Sequence, residues 1–455
     1  RIMASVVSLT RPMRRFKRGL CVHSAQDLRE RVGLTKIGAN ITPEGLSLDA
    51  GKDLKDVVKN SDLGLLCLKA AGPPSQLRAD LAELGKSAVA DIHWMDRRAS
   101  DWHMALRPLA ATLLDMRSLE SDEAVLGFGQ AAFEARMDYI AVKPQDFEIV
   151  SEILSESYEK FMEESKEREG GGEDIEEVQS PYILLGCGSE SEAQIVEDLL
   201  SKAAGVCLSG MDHPASMIEK AEFDNKIVIR DIDLGGSVEE ATLTVQELKN
   251  VKQAIESSST CDALLLSRDG SGSLSKMSMW TKEAVEAGKF ADSQAELFWP
   301  KAPSTNVWIN AGEHGMRNPV PELEVVARAT VAVAGESAAA MILALTRSGN
   351  IAHILSKYRP GVPIVVFTDS SLVARRLSIR RGVYPIAIAK KDVNTISDYE
   401  RPTEALSIAK ELGWLHGGDK AVIVTAGEDL DPAITDESVS MRVVKMSDFE
   451  GPVFI

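Results

Sequence analysis

Short apolar runs rich in Val, Ile and Leu recur along this chain, and each is followed by a segment with helical periodicity. Unbroken apolar runs are typical of strands buried on both faces, as in parallel sheets whose strands are joined by helices. The helical segments, such as residues 191–203 and 242–258, place their apolar residues on one face. The eight runs are residues 34–40, 63–69, 88–94, 137–143, 182–188, 205–211, 226–232 and 263–269.

Eight successive strand–helix units predict an α/β fold, a (β/α)8 TIM barrel, with a doubly wound open sheet as the alternative. In both folds, functional side chains lie at the carboxyl ends of the strands. Residues 299–320 are rich in Pro, Gly and Asn and indicate a boundary. Five further strand-like runs between residues 341 and 446 predict a separate α/β domain over residues 317–455.

Composition excludes several classes of function. The formal net charge of −18 disfavours nucleic acid and anionic lipid surfaces as partners. No charge-free apolar run approaches the roughly 20 residues of a membrane span, so none is predicted. The five cysteines include no CxxC pair and no cluster with histidine at zinc spacing, so we expect reduced, buried thiols and no protein-bound transition metal.

Two segments have biased charge. Residues 1–26 carry six Arg or Lys residues and no Asp or Glu, a composition typical of an organelle transit peptide. We therefore expect a mitochondrial protein; a plastid protein and a cytoplasmic protein with a basic tail are the alternatives. The acidic residues 158–180 include a triple glycine and indicate an exposed helix end and loop, with a docking segment for a basic partner as the alternative.

The second domain contains the segments TRSGNIAHILSKYRPGVPIVVFT (346–368), RRLSIRRGVYPI (375–386), GDKAVIVTAG (418–427) and SMRVVKM (440–446). Their order and spacing strongly resemble the C-domain of pyruvate kinase. Residues 35–43, 120–154 and 262–273 resemble that family's first, fourth and eighth barrel strands more weakly. The resemblance implies a barrel in two parts, residues 27–98 and 120–298, with residues 99–119 as a remnant linker in place of the lid domain that the family inserts after the third strand.

Pyruvate kinases transfer a phosphoryl group from phosphoenolpyruvate to ADP with a divalent and usually a monovalent cation, chemistry that depends on positioned positive charge. The resemblance implies that most of these charges are lost here. At the second strand, Cys67, Lys69 and Ala71 stand where the family has arginine, asparagine and serine. At the third strand, Asp91 and Arg98 match the family, but His93 replaces a lysine, and Lys69 is a candidate to supply a point charge beside Asp91.

The later strands lose further groups in the same comparison. At the fifth strand, Gly186 or Cys187 takes the lysine position, depending on a one-residue register, and Ser189 takes the glutamate position. At the sixth strand Asp212 matches a magnesium carboxylate, and at the seventh Ile232 replaces a threonine. We therefore expect no intact catalytic set. Asp91, Arg98 and Asp212 are its vestiges, with Asp91 and Asp212 as vestigial metal ligands; rim residues held by local hydrogen bonds are the alternative.

The loop formed by Thr346, Arg347, Ser348 and Gly349 precedes a predicted helix and resembles the place where many pyruvate kinases bind an effector sugar phosphate. Backbone N–H groups at such a turn can hold an anion. The alternative is a helix cap, in which a hydroxyl accepts from the first N–H groups.

These expectations combine into one functional hypothesis. The chain is expected to be a degenerate, non-catalytic pyruvate kinase homologue that acts as a structural or regulatory subunit of an organellar assembly. Its partners would be other protein subunits or further copies of itself. It would require no cofactor, and magnesium and potassium would matter only for residual family activity. The alternative is an active pyruvate kinase with low or altered activity.

Overall fold

The computed structural model of the chain describes residues 36–41, 64–71, 74, 91–93, 102–107, 110–168, 180–210, 217–218, 220–221, 224–237, 242–257, 261–269, 279–284, 286–287, 322–368, 370–390, 400–411, 414–426, 439–446 and 452–454. The transit segment, Arg98, Asp212, residues 169–179 of the acidic loop and the boundary at residues 299–320 lie outside the described residues.

The described strands are β1 (Lys36–Ile41), β2 (Leu65–Lys69), β3 (Asp91–His93), β4 (Trp102–Arg107), β5 (Ala111–Asp115), β6 (Tyr139–Val142), β7 (Tyr182–Cys187), β8 (Gly205–Ser209), β9 (Ile227–Ser237), β10 (Ala263–Asp269), β11 (Met341–Leu345), β12 (Ile364–Thr368), β13 (Val383–Lys390), β14 (Lys420–Ala426), β15 (Val439–Met446) and β16 (Pro452–Phe454). The described helices of seven residues or more are α1 (Asp122–Glu134), α2 (Phe147–Arg168), α3 (Glu190–Leu199), α4 (Val245–Ser257), α5 (Glu322–Glu336), α6 (Asn350–Lys357), α7 (Ser371–Leu377) and α8 (Glu400–Glu411).

Eight parallel strands form a closed barrel in the order β1-β10-β9-β8-β7-β6-β5-β2. Closure is direct, because β1 pairs in parallel with both β10 and β2. The predicted (β/α)8 barrel is therefore confirmed, and the open-sheet alternative is wrong. None of the helices in the described part of the chain has the length and apolar character that a membrane crossing requires.

Alternate residues of each barrel strand face opposite sides. Leu113 belongs to the cluster that fills the barrel interior, whereas Leu114 belongs to the cluster between the strands and the surrounding helices. The interior cluster also includes Cys67, Tyr139 and Cys207. Because both faces are buried, the strands read as continuous apolar runs rather than as alternating ones.

The predicted position of the third barrel strand at residues 88–94 is wrong. The third barrel strand is β5, which pairs with β2 and β6, while β3 pairs antiparallel with β4 in the other sheet. Residues 99–119, expected to be a linker, thus contain β4 and a barrel strand. Residues 88–94 and residues 111–115 both have the composition of a short strand, so strand propensity does not distinguish them. Their pairing with neighbouring strands does.

The second domain is built on an eight-stranded mixed sheet in the order β16-β15-β14-β11-β12-β13-β4-β3. Its four central strands are parallel, whereas β4 adds antiparallel to β13 and β15 adds antiparallel to β14. Apolar clusters cover both faces of the sheet, with Leu343 on one side and Ile342 on the other. The predicted separate α/β domain is confirmed, with a hairpin from the barrel half at its edge.

The end of α7 and the residues that follow it join the two domains. Ile379 is fully buried in the cluster that fills the barrel interior. The Tyr139 hydroxyl donates to the Arg376 carbonyl at 2.8 Å, and the Arg380 guanidinium contacts Asp262 at 3.2 Å. Both barrel residues lie at the amino-terminal ends of strands, so this segment closes the end opposite to the one where barrel chemistry is found.

Candidate functional site

Polar side chains replace the apolar interior at the carboxyl end of the barrel. Counting two residues on from interior positions Cys67, Leu113, Cys207 and Ile229 leads to Lys69, Asp115, Ser209 and Asp231. Together with Arg117, which follows β5, these four residues are called the barrel mouth. The mouth lies where TIM barrels place their functional groups.

Arg117 is the centre of the barrel mouth. Its guanidinium contacts Asp115 through Nε and Nη2, each at 2.8 Å, and Asp231 through Nη2 at 2.6 Å. Its Nη1 donates to the Ser209 hydroxyl at 2.9 Å, and that hydroxyl donates to Asp231 at 2.9 Å. One cation is therefore held by two carboxylates from different strands in a charge-assisted network.

The carboxylates of the mouth have opposite pKa shifts. Burial would raise the pKa of Asp115, but the hydrogen bonds and charge of Arg117 outweigh it, so that the pKa is lowered. Burial raises the pKa of Asp231, and Arg117 offsets this only in part. The second oxygen of Asp231, Oδ1, is buried and has no hydrogen-bond partner among the described residues. Asp115 is thus the stronger partner of Arg117.

Gly186, at the end of β7, leaves the space that the Arg117 side chain fills. A Cβ atom at this position would lie 2.5 Å from Arg117 Cδ, 3.0 Å from Arg117 Cγ and 3.1 Å from the Val142 carbonyl oxygen. The Arg117 side chain cannot move aside without losing its contacts with Asp115 and Asp231. A glycine is therefore required here by the close approach of a side chain that comes from another strand.

We expect Gly186→Ala to destabilise the protein by about 1–3 kcal/mol, the usual cost of overpacking. The same substitution in an Arg117→Ala background should cost clearly less, because the colliding atoms are absent. Urea unfolding of the four proteins in this double-mutant cycle measures the difference. Equal costs in both backgrounds would contradict the steric assignment.

The sequence-predicted site residues are not brought together. Lys69 is exposed and aligned with Asp115 in the β2–β5 pairing, so it neighbours this carboxylate and not Asp91. Asp91 and His93 belong to β3, which pairs with β4 in the second sheet and is not one of the barrel strands. Arg98 and Asp212 lie outside the described residues.

The remaining substituted positions have structural roles. Cys67 is buried in the barrel interior, and burial, followed by the charge of Asp115, raises its pKa well above the usual value, which makes it a poor nucleophile. Ser189 precedes α3 as its N-cap residue, and Ile232 packs against the cluster outside the barrel. Within β9 it is therefore Asp231, and not Ile232, that contacts the other residues of the mouth.

Sequence reasoning missed Asp115, Arg117 and Asp231. A usable signal existed, because Asp115 directly follows the strand-like residues Ala111–Leu114 and Arg117 comes two positions later. The pattern at residues 88–94 predicts the third strand at another place, and so it points to Asp91 and His93 instead. Asp115 and Arg117 at the true third strand are two positions apart. Asp91 and His93 have the same spacing, and it is the spacing that the family resemblance implies for an aspartate and a lysine.

The hydroxyls of the loop before α6 form local hydrogen bonds. Thr346 Oγ1 accepts from the Gly349 N–H at 3.0 Å, and Ser348 Oγ accepts from the Asn350 N–H at 3.3 Å. Gly349 has a φ of 81°, a left-handed conformation that favours glycine. These bonds are those of a helix-capping turn; ligand binding by Thr346, Arg347, Ser348 and Gly349 stays a prediction.

The described carboxylates at the mouth do not fit a magnesium ion. Asp115 and Asp231 are both bonded to Arg117, whose guanidinium lies where a shared cation would have to lie. In the part of the chain that the structure describes, no group of three or more His, Cys, Asp or Glu side chains is placed to hold a metal ion.

Residues 324–437 match the family described as pyruvate kinase, alpha/beta domain. Pyruvate kinase 2 of Candida glabrata is 36% identical over 108 residues, 23% of this chain and 21% of that protein. The pyruvate kinase of Clostridium perfringens is 25% identical over 342 residues, 72% of this chain and 64% of that protein. The chain is related to the pyruvate kinases.

The two kinds of match cover different parts of this pyruvate kinase relative. The family match falls within the second domain. The alignment with the C. perfringens protein covers 342 residues, which is more than the second domain contains, so it also includes part of the barrel. The alignments span about a fifth of the C. glabrata protein and under two thirds of the C. perfringens protein. The predicted resemblance is confirmed.

Proposed function

We propose that this pyruvate kinase relative is non-catalytic and acts as a structural or regulatory subunit of an organellar protein assembly. The observation that carries the proposal is the state of Arg117, whose guanidinium is bonded to Asp115, Asp231 and Ser209. Phosphoryl transfer needs cations that can face the transferring group. A guanidinium neutralised by two carboxylates would have to break those bonds first.

The route of the chain after the third barrel strand supports the proposal. Only residues 116–121 separate β5 from α1, and this stretch is fully described. The lid that the family inserts after this strand is therefore missing at that point. Lid closure excludes water from the reacting groups, so a mouth without one favours hydrolysis over transfer to a nucleotide.

Binding of protein partners is proposed from what the chain retains. In the described part of the second domain, apolar clusters cover both faces of the sheet, and Ile379 joins the cluster inside the barrel. Import into mitochondria, or alternatively plastids, is proposed from the basic, acid-free residues 1–26. Magnesium and potassium would bind only in support of residual activity.

The test is a lactate-dehydrogenase-coupled assay of the purified chain with magnesium, potassium, phosphoenolpyruvate and ADP. We expect turnover below about 1 s⁻¹, the low end of typical enzymes, while an authentic pyruvate kinase in the same assay reports full activity. The native mass of the protein in organelle extract should exceed that of one chain. Turnover at or above that rate would contradict the proposal and favour the alternative, an active pyruvate kinase with altered kinetics.

A further inference from the structure

Residues 375–381, called the strap, contact two buried aspartates on opposite sides of the barrel. Asp138 directly precedes β6, and Asp262 directly precedes β10. In the closed order of the barrel, three strands separate β6 from β10 in either direction. The strap forms ion pairs with both aspartates, so it spans the amino-terminal end of the barrel from one side to the other.

The two aspartates make equivalent bonds to the barrel strands beside them. The Asp138 carboxylate accepts from the backbone N–H of Thr112, the second residue of β5, at 3.0 Å, and its carbonyl accepts from the first N–H of β7. The Asp262 carboxylate accepts from the backbone N–H of Val228, the second residue of β9, at 3.1 Å, and its carbonyl accepts from the first N–H of β1. Each aspartate therefore holds three successive strands together.

An arginine of the strap completes each of these arrangements. Arg375 Nε lies 3.3 Å from Asp138 Oδ1, and Arg380 Nη1 lies 3.2 Å from Asp262 Oδ2. Arg380 also donates through Nη2 to the Asn225 carbonyl at 2.8 Å. All four charged side chains are largely buried. Removing one partner from a buried ion pair is strongly destabilising, because the other charge is left without a partner and without water.

Between the two ion pairs, the strap closes the floor of the barrel. Ile379 is fully buried in the cluster that fills the barrel interior. Arg376 Nη2 donates to the Ser180 carbonyl at 2.6 Å, and its guanidinium carbon lies 3.9 Å from the centre of the Tyr182 ring. Moving the second domain away would expose the apolar interior to water, at a cost in free energy that grows with the exposed area.

The hairpin of β3 and β4 provides a second link between the domains. β4 pairs antiparallel with β13 of the second sheet, and three residues of chain, 108–110, separate β4 from the barrel strand β5. This link consists of backbone hydrogen bonds at the edge of a sheet. The strap, in contrast, places charged and apolar side chains inside the barrel, so we expect it to be the stronger of the two links.

We propose that the strap makes the barrel and the second domain a single cooperative folding unit, in which the barrel is not stable without the second domain. Domains of one chain usually move relative to one another unless their interface is large and hydrophobic. Here the interface combines an apolar side chain inside the barrel with ion pairs on opposite sides of it. The proposal does not depend on whether the barrel mouth is catalytic.

Pulsed hydrogen exchange of the full chain at increasing urea concentration, read by mass spectrometry, tests the proposal because it reports on each domain separately. In the native protein, the amides of β6, β7 and β8 and those of β11 and β12 should lose protection at the same urea concentration. In the double variant Ile379→Ala/Arg380→Gln the barrel should lose protection first, with the two midpoints about 1 M or more apart. Arg380→Lys keeps the charge but not the forked contacts, so it should separate the midpoints less.

Glu324→Gln is the matched control. It breaks the pair of Glu324 with Lys357 at 3.0 Å, which joins α5 to α6 within the second domain. It should lower the urea midpoints of both domains together, and a separation as large as that of the double variant would contradict a specific role of the strap. Separate midpoints in the native protein, or coincident midpoints in the double variant, would overturn the proposal. If circular dichroism shows that the double variant is unfolded, Arg380→Lys decides by the same comparison.

Discussion

Asp115→Ala should lower the free energy of unfolding by about 3–5 kcal/mol, the usual cost of removing one partner from a buried ion pair. The Asp115 side chain is 5% exposed, and that of its partner Arg117 is 15% exposed. Without Asp115, the guanidinium keeps Asp231 and Ser209 but loses its two 2.8 Å contacts. Urea unfolding followed by far-ultraviolet circular dichroism measures the loss.

Glu148→Ala is the matched control for this experiment. It also breaks a carboxylate–cation pair, Glu148 with Lys202 at 2.9 Å, but the two side chains are 68% and 60% exposed. Exposed pairs contribute about 0–1 kcal/mol, because water screens and solvates both partners. If Asp115→Ala cost no more than Glu148→Ala, the central role of Asp115 at the barrel mouth would be refuted.

The contribution of Asp115 should also depend on pH. Its pKa lies below the ordinary value of 3.8 in the folded protein, because Arg117 outweighs the effect of burial. A carboxyl group whose pKa is depressed by folding stabilises the protein above its unfolded pKa, and this stability is lost as the pH falls through the folded pKa. The free energy of unfolding of the native protein should therefore exceed that of Asp115→Asn by a constant amount above about pH 4. This difference should become smaller as the pH falls below about 4.

Ile379→Ala should cost about 2–5 kcal/mol, as expected for a large-to-small substitution at a fully buried site. Ile379 is 0% exposed and belongs to the cluster that fills the barrel interior, although it comes from the second domain. The cavity would open between the two domains, so that the junction as well as the barrel core would weaken. Urea unfolding of the purified variants measures the cost.

Two controls separate packing from other effects of substitution at Ile379. Ile379→Val removes one methylene and should cost about 0.5–1.5 kcal/mol. Ile195→Ala, at a position 48% exposed on α3, should change stability by less than about 0.5 kcal/mol. A cost of Ile379→Ala similar to that of Ile195→Ala would show that the junction does not depend on this side chain.

The sequence by itself determined the fold class and the division into two α/β domains. Seven of the eight predicted barrel strands coincide with or overlap observed ones, because strands buried on both faces appear as continuous apolar runs. The segment RRLSIRRGVYPI (375–386) is one of those that resemble the family. Its amino-acid sequence does not indicate that Ile379 packs inside the barrel. Such local patterns report burial and periodicity, not the partner that buries a residue.

Tertiary structure alone decided which residues form the barrel mouth. The runs at residues 88–94 and 111–115 both have strand composition, and only pairing in space assigned the first to the second sheet and the other to the barrel. That assignment replaced Asp91 and His93 by Asp115 and Arg117 at the third strand. It also explains why position 186 is a glycine. The space that a side chain would need there is filled by Arg117, which lies 69 positions earlier in the chain. Contacts between residues so far apart depend on strand register and barrel closure, which one-dimensional patterns do not encode.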